Sequence, residues 1–260
     1  MIFNRKNSSI FVSPHYPNIK FNLNDFELDF DECQNILQKS RNTIKQLKIN
    51  NISTVVKSFR IPDGINGFIY RYFRMSKSRR SFEYAEYLRY LNILTPRPIA
   101  YIEVFSKMRL YQSYYITEYY AYDFSIRELI NMNLNDRDKI LRLFVQFTYD
   151  MHQKGILHLD NSPGNTLIRR KGNGLEFCVV DINRLKIGNV SLELGISNFN
   201  RISTDHEIVE VIADEYAKLT KINQKDCLTT LWKHIKKYRA YSERKERIKK
   251  IIKSVKYTGK

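Results

Sequence analysis

The residues with chemistry to offer are gathered near the middle of the chain, in DMHQKGILHLDNSPGNTLIRRKGNGLEFCVVD, from Asp150 to Asp181. Asp160 and Asn165 stand five positions apart on a loop bearing Pro163 and Gly164, and Asp181 follows after a run of β-prone residues. A carboxylate within hydrogen-bond reach of a hydroxyl can take its proton as the oxygen attacks. Carboxylate and amide oxygens also suit Mg²⁺, a hard cation that keeps several waters and is completed by nucleotide phosphates. Together they point to phosphoryl transfer onto an alcohol.

The surrounding sequence must hold these residues in place. Ile140, Leu143, Phe144, Phe147 and Met151 recur at helical spacing, with Asn135 as N-cap, Asp136 and Asp138 in the first turn and Gly155 just past the end. This predicts an amphipathic helix that delivers the chain to His158. Downstream, NTLIRR and LEFCVV read as strands joined by Lys171, Gly172, Asn173 and Gly174, a turn whose Gly and Asn tolerate positive φ. Such a hairpin returns Asp181 to the end where Asn165 sits. The spacing H-x-D-x-x-x-x-N is that of the catalytic loop of the kinase fold, in which the aspartate is the base and the asparagine a metal ligand.

At 260 residues and 43% hydrophobic composition the chain can bury a sizeable core. Two lobes around a cleft are expected, 1–118 β-rich and nucleotide-binding, 119–260 helical and catalytic. The formal charge of +17 implies an anionic partner: nucleic acid, an acidic membrane surface, or a phosphorylated or carboxylated substrate. Cys33, Cys178 and Cys227 are few, odd in number and without metal-ligand spacing, which reads as reduced thiols in a cytosolic protein. The opening MIFNRKNSSIFVSPHYPNIK has no continuous apolar run, and no later run reaches the length of a bilayer span. A cytoplasmic protein is expected, peripheral at most on the inner face of the inner membrane.

Taken in order, residues 10–30 suggest irregular structure interrupted by Pro14 and Pro17, followed by a strand. In RNTIKQLKINNISTVVKSF, two β-prone runs flank Asn50-Asn51, a hairpin turn that places Lys57 on the second strand. A strand lysine of this kind bridges nucleotide phosphates in kinases and pairs with a glutamate on the next helix. That helix is SFEYAEYLRYLNIL, with Phe82, Ala85, Leu88 and Leu91 on one face. Glu83 and Glu86 both lie on it, each able to pair with Lys57 or to remain a surface carboxylate beside Arg79, Arg80 or Arg89. Before it, the basic and aromatic residues of 62–80 suit either an anionic interface or a helix packed on the small lobe. Pro96 and Pro98 end the helix, and two strands follow as far as Glu118. The connection at Glu118, Tyr119 and Tyr120 is where an adenine ring would meet backbone groups.

VVKSF, the glutamate helix, LNILTPRPIAYIE, HQKGILHLDNSPGNTLI and FCVVDINR together resemble the Kdo/WaaP family of lipopolysaccharide core kinases, in the family's order from about Arg41 to Arg201. The resemblance implies an α+β, two-lobed protein-kinase-like fold, with a small, mostly antiparallel β lobe and a larger helical lobe. It implies phosphorylation of a Kdo or heptose hydroxyl of the inner core with ATP and Mg²⁺. Carried over residue by residue, Lys57 holds the phosphates, Glu83, at the family's distance from Pro96, pairs with it, Asp160 is the base, and Asn165 and Asp181 bind Mg²⁺. His158 packs the loop. The expected partners are a Kdo-lipid A acceptor and the anionic inner-membrane surface, with no nucleic acid and no protein partner inferable.

The sequence departs from general kinase patterns in three places. DIN stands at Asp181 in place of DFG, no APE follows, and QKSRNTIK stands where a glycine-rich phosphate loop is usual. Backbone amides around Ser40 to Thr43, with Arg41, are left to approach the phosphates with less freedom than glycine gives. This leaves two alternatives beside the core-sugar kinase: a catalytically weak, envelope-associated binding protein, or a kinase for protein or another small molecule. From Trp232 to Lys260 the chain is rich in Lys and Arg with partial helical amphipathicity, which suits an anionic membrane or a solvated terminal helix.

Overall fold

The computed structural model describes residues 7–59, 69–70, 74–106, 109–131 and 136–258, with side chains to residue 250. The chain forms two compact units. The first is Met1–Ala121 with Cys178–Asn183, and the second is Tyr122–Phe177 with Arg184–Lys260.

The first unit is built on strands β1 (Asn7–Val12), β2 (Ile36–Lys39), β3 (Thr43–Ile49), β4 (Ile52–Phe59), β5 (Pro98–Ser106) and β6 (Arg109–Glu118), with helices α1 (Leu23–Glu32) and α2 (Lys77–Tyr90). The sheet order is β1-β5-β6-β4-β3-β2, with all five neighbouring pairs antiparallel. Asn50 and Asn51 take φ of 47° and 64°, and this is the tight turn their sequence predicts between β3 and β4. Because side chains alternate along a strand, the sheet has two faces. Val56, Ile102, Val104, Tyr114 and Ile116 pack with Phe26 and Phe30 of α1. Lys57, Tyr115 and Tyr101 lie in register on the other face, where Tyr101 meets Phe82 of α2 at 5.5 Å.

The strand expected toward Phe30 is instead α1. FNLNDFELDF alternates in polarity, yet Phe26 and Phe30 are four apart and both buried, and the side chain of Asn22 caps the helix by accepting from the amide of Asn24. QKSRNTIK, which stands in the place of a phosphate loop, is the end of β2, a turn and the start of β3, and Arg41 is exposed at the turn. Much of the basic-aromatic stretch 62–80 lies outside the described residues.

The second unit holds β7 (Phe124–Ser125), α3 (Ile126–Asn131), α4 (Arg137–Gln153), β8 (Ile156–His158), a 3₁₀ turn (Pro163–Asn165), β9 (Thr166–Lys171), β10 (Gly174–Val179), β11 (Leu185–Ile187), α5 (Leu192–Ser197), α6 (His206–Thr220) and α7 (Gln224–Thr258). Strand β10 begins in this unit and its last two residues belong to the first. The helix predicted before His158 is α4. Asn135 is outside the described residues, and Asp136 takes the N-cap position in place of the first turn. Phe144, Leu141, Phe199, Ile212, Tyr216 and Leu231 form the centre of its core. Arg142 of α4 ties to α6 through Asp214 at 2.5 Å and Glu215 at 3.1 Å. Gly155 ends α4 with φ of 73°, and a Cβ there would stand 3.0 Å from the carbonyl oxygen of Gly188, so a side chain would be strained by both its backbone and its neighbour. No helix among the described residues is long and apolar enough to cross a membrane.

Candidate functional site

In the first unit the chemistry converges on Asp181. Its segment is bound to the unit by the amide of Val179, which donates to the Leu94 carbonyl at 2.9 Å, and by the Thr95 hydroxyl, which donates to the Val179 carbonyl at 2.8 Å. Asp181 adopts φ of 57°, a left-handed conformation rare outside glycine and sustained where surrounding bonds over-determine it. Lys57 Nζ donates to its Oδ1 at 2.5 Å, and Asn183 Nδ2 donates to the same oxygen at 2.5 Å. Oδ2 has no partner among the described residues, which leaves one hard oxygen for a cation.

Lys57 thus pairs with Asp181, and the expected pair with Glu83 does not form. Glu83 accepts from Arg79 one helical turn earlier, at 2.7 Å, with 41% of its side chain exposed. The alternative, Glu86, accepts weakly from the Ser13 hydroxyl at 3.5 Å. The physical reason is competition: a flanking arginine four residues away on the same helix is a nearer cation than a lysine on the sheet.

Two further cations, Lys77 and Arg80, belong to this region, and the sequence reading assigned them no role in it. Lys77, the first residue of α2, is half-buried. Burial lowers its proton affinity, and Arg41, Arg80 and Lys57 lower it further while Asp181 acts in the opposite sense. The group therefore stands in a positive field, the environment that an oligophosphate neutralises. Arg41, exposed at the β2–β3 turn, is one of the contributors. A signal existed in the sequence, since Lys77 and Arg80 fall at the start of a helix whose Ser76 is an N-cap.

The adenine contact expected at Glu118 and Tyr120 has fewer backbone groups to use than the sequence suggested. The amide of Glu118 donates to Arg97 at 2.9 Å and that of Tyr119 to Ser53 at 2.8 Å. The Glu118 carboxylate accepts from the Tyr16 hydroxyl at 2.8 Å.

In the second unit the loop after β8 is fixed from several directions. His158 is buried, and its Nδ1 accepts from the amide of Asp160 at 3.1 Å. Asn165 Nδ2 donates to the Asp160 carbonyl at 2.8 Å, and no partner stands at its Oδ1 among the described residues. The guanidinium of Arg127 lies over Gly164, where a Cβ would meet it at 2.8 Å. The Asp160 carboxylate is held by Arg201, whose guanidinium also lies over the ring of Tyr238.

Asn198, which the sequence did not single out, is the hub of this loop. Its Nδ2 donates to the His158 carbonyl at 2.8 Å, and its own carbonyl accepts from Asn161 Nδ2 at 3.2 Å. With Nδ2 so assigned, Oδ1 must accept, and His152 Nε2 donates to it at 3.0 Å. His152 Nδ1 is then the acceptor for the Tyr216 hydroxyl, also at 3.0 Å. Burial holds His152 below its ordinary proton affinity, opposed by Asn198. Gly195 makes the approach possible, because a Cβ there would fall 1.9 Å from the Tyr216 oxygen.

Donors for Mg²⁺ and for phosphate are both present. No group of three or more His, Cys, Asp or Glu side chains able to cage a metal exists among the described residues. The open carboxylate oxygen of Asp181 in the first unit suits a cation that takes water and phosphate for the rest of its shell, and the open amide oxygen of Asn165 in the second unit is a hard donor of the same kind. Lys57, Lys77 and Arg41 fit the phosphates.

Comparison with known proteins bears on the whole chain. Among solved structures, WaaP in complex with acyl carrier protein is similar at a TM-score of 0.55 with 15% identity, covering 91% of this chain and 97% of that one, which establishes the protein-kinase-like fold. The Rio2 kinase-ADP/Mg²⁺-phosphoaspartate complex from Chaetomium thermophilum is similar at 0.46 with 12% identity, covering 80% and 71%. No curated protein matches. Residues 66–202 match the model of the lipopolysaccharide kinase (Kdo/WaaP) family, a span that holds Glu83, Asp160, Asn165, Asp181 and Arg201. With more than half its length inside that match, the chain belongs to the lipopolysaccharide kinase (Kdo/WaaP) family.

Proposed function

We propose that the chain transfers the terminal phosphoryl group of ATP to a Kdo or heptose hydroxyl of the lipopolysaccharide inner core. The observation that carries this reading is the presence, within the family match, of Asp160 and Asn165 on a braced loop and of Asp181 with one open carboxylate oxygen. Lys57, with Lys77 and Arg41 near it, holds the phosphates, and the backbone around Tyr120 receives the adenine. Asp160 takes the proton of the attacking hydroxyl, and Asn165 and Asp181 bind Mg²⁺. The metal, when bound, neutralises charge that spreads over the transferred phosphoryl oxygens. The chain's own contribution is placement: His158, Asn198 and Asn165 fix the backbone on both sides of Asp160, so the loop that carries the base keeps its course when the hydroxyl arrives.

The acceptor's phosphates and carboxylates are drawn to a protein of formal charge +17. We place the protein at the inner face of the inner membrane, with the basic, exposed part of α7 against anionic headgroups. WaaP was solved with acyl carrier protein; a carrier-protein partner is the matching proposal for this chain, read by co-purification at low salt.

The test is phosphate incorporation into a Kdo-bearing lipid A acceptor and into a heptosylated core, followed by mass spectrometry with ATP and Mg²⁺. Wild type should add one phosphate to one of them and Asp160→Asn should add none. ATP binding without incorporation into either would defeat the acceptor assignment.

A further inference from the structure

Between Asp160 and Asn165 stand Asn161, Ser162, Pro163 and Gly164, so the loop supplies no cation of its own. The cation at the Asp160 carboxylate is Arg201, brought by the connection between α5 and α6. Tyr238 of α7 supports it, its ring centroid 5.2 Å from the guanidinium carbon. Both members of the pair stay partly open, 27% exposed for Arg201 and 23% for Asp160. A guanidinium carries five N–H donors, and among the described residues Asp160 is its one hydrogen-bond partner, so donors remain for a ligand.

The guanidinium takes Oδ1 of the base and turns the carboxylate toward the arginine. Freeing that oxygen leaves the whole carboxylate to orient on a hydroxyl. An anion on the acceptor itself accomplishes the exchange. The guanidinium turns its fork to the incoming carboxylate or phosphate, a bidentate match, the Tyr238 ring keeps the arginine in place, and Asp160 is left to the hydroxyl. A neutral sugar brings no such counter-charge.

We propose that Arg201 reads an anionic group beside the hydroxyl being phosphorylated, so that the chain selects an acidic acceptor over a neutral one. The proposal rests on the core-sugar reading and on Asp160 as its base. The anion has two possible sources, the carboxylate of the acceptor sugar or a phosphate on the adjoining lipid A.

The test compares kcat/KM for three acceptors: Kdo-bearing lipid A, the same molecule with the sugar carboxyl reduced to an alcohol, and the same molecule freed of its phosphates. Wild type should lose about tenfold or more on one of the two changes, the size of a lost charge-assisted hydrogen bond. Arg201→Ala should bring the ratio of intact to altered acceptor to within about threefold, and Arg201→Lys, which keeps charge without the fork, should fall between. Sensitivity to carboxyl reduction assigns the sugar carboxylate, and sensitivity to dephosphorylation assigns the phosphate. Thermal unfolding and ATP binding of each variant check the fold. If Arg201→Ala is unfolded, Tyr238→Leu, which removes the support, should narrow the same ratio. The proposal is overturned if wild type uses all three acceptors equally, or if the variants lower all three by one common factor. If wild type binds ATP but uses none of the three, the same comparison is made on the heptosylated core and its carboxyl-reduced and dephosphorylated forms; if that core is unused too, the core-sugar reading falls and this proposal with it.

Discussion

Asp181 concentrates the physical demands made on single residues. Its left-handed backbone carries a conformational cost, offset by two hydrogen bonds to one carboxylate oxygen and by the anchoring of Val179. Asn183→Ala should therefore loosen the carboxylate without removing it, raising the Mg²⁺ requirement while leaving the unfolding midpoint within a few degrees; titrating Mg²⁺ against initial rate reads this out. Lys77→Met, by contrast, should act on the nucleotide. It removes a cation from the cluster with Arg41, Arg80 and Lys57, and KM for ATP should rise by about tenfold with kcat nearly unchanged. An equal fall of kcat at unaltered KM would exclude that role. Glu83→Gln disrupts an exposed pair with Arg79 and should change stability by no more than about 0.5 kcal/mol.

Among the elements, those whose signal is local were legible in the sequence. The Asn50-Asn51 turn, the β9–β10 hairpin and the apolar stripe of α4 each follow from residues within a few positions of one another. Helix α1 was misread because polarity along FNLNDFELDF alternates, and only the sheet supplies the surface that Phe26 and Phe30 need. Asn198 and Arg201 were invisible for a different reason: they act on residues 40 and 41 positions earlier, and nothing local marks an asparagine as a hub. Its importance can be measured. Asn198→Ala strips partners from His152 and the His158 carbonyl and leaves the backbone bond to Asn161 in place, and since buried groups left unpaired cost about 1–3 kcal/mol each, denaturant unfolding should show a loss of at least about 2 kcal/mol. The same network gives a pH dependence. His152 binds its proton less readily in the fold than at its ordinary value of 6.5. The unfolded chain then holds more protons below that value, so stability is full above about pH 6.5 and falls as pH drops toward the lowered native value. His152→Gln should flatten this acid limb in unfolding midpoints measured from pH 5 to 8.

On the scale of the molecule, charge is the dominant property. Along α7, Lys236, Lys237, Arg239, Arg244, Lys245 and Arg247 are all exposed, and Tyr241 and Ile248 show apolar surface seven residues apart on the same side of the helix. Binding to vesicles with anionic headgroups should weaken steeply between low and physiological salt. Removing 241–260 should abolish it while sparing phosphorylation of a soluble acceptor fragment; vesicle sedimentation and the acceptor assay separate the two effects.

The way the chain divides between its units bears on how the protein is made. Residues 178–183 complete the first unit, yet the second unit supplies the residues on either side of them. A ribosome releasing 1–121 has delivered the sheet with helices α1 and α2 but not Asp181, the partner of Lys57, nor Val179, the partner of Leu94 and Thr95. The first unit therefore waits, with those groups unmet, until much of the second has been synthesised. A fragment cut at Ala121 is an unfinished object, and the smallest N-terminal piece expected to fold the first unit whole extends past Asn183.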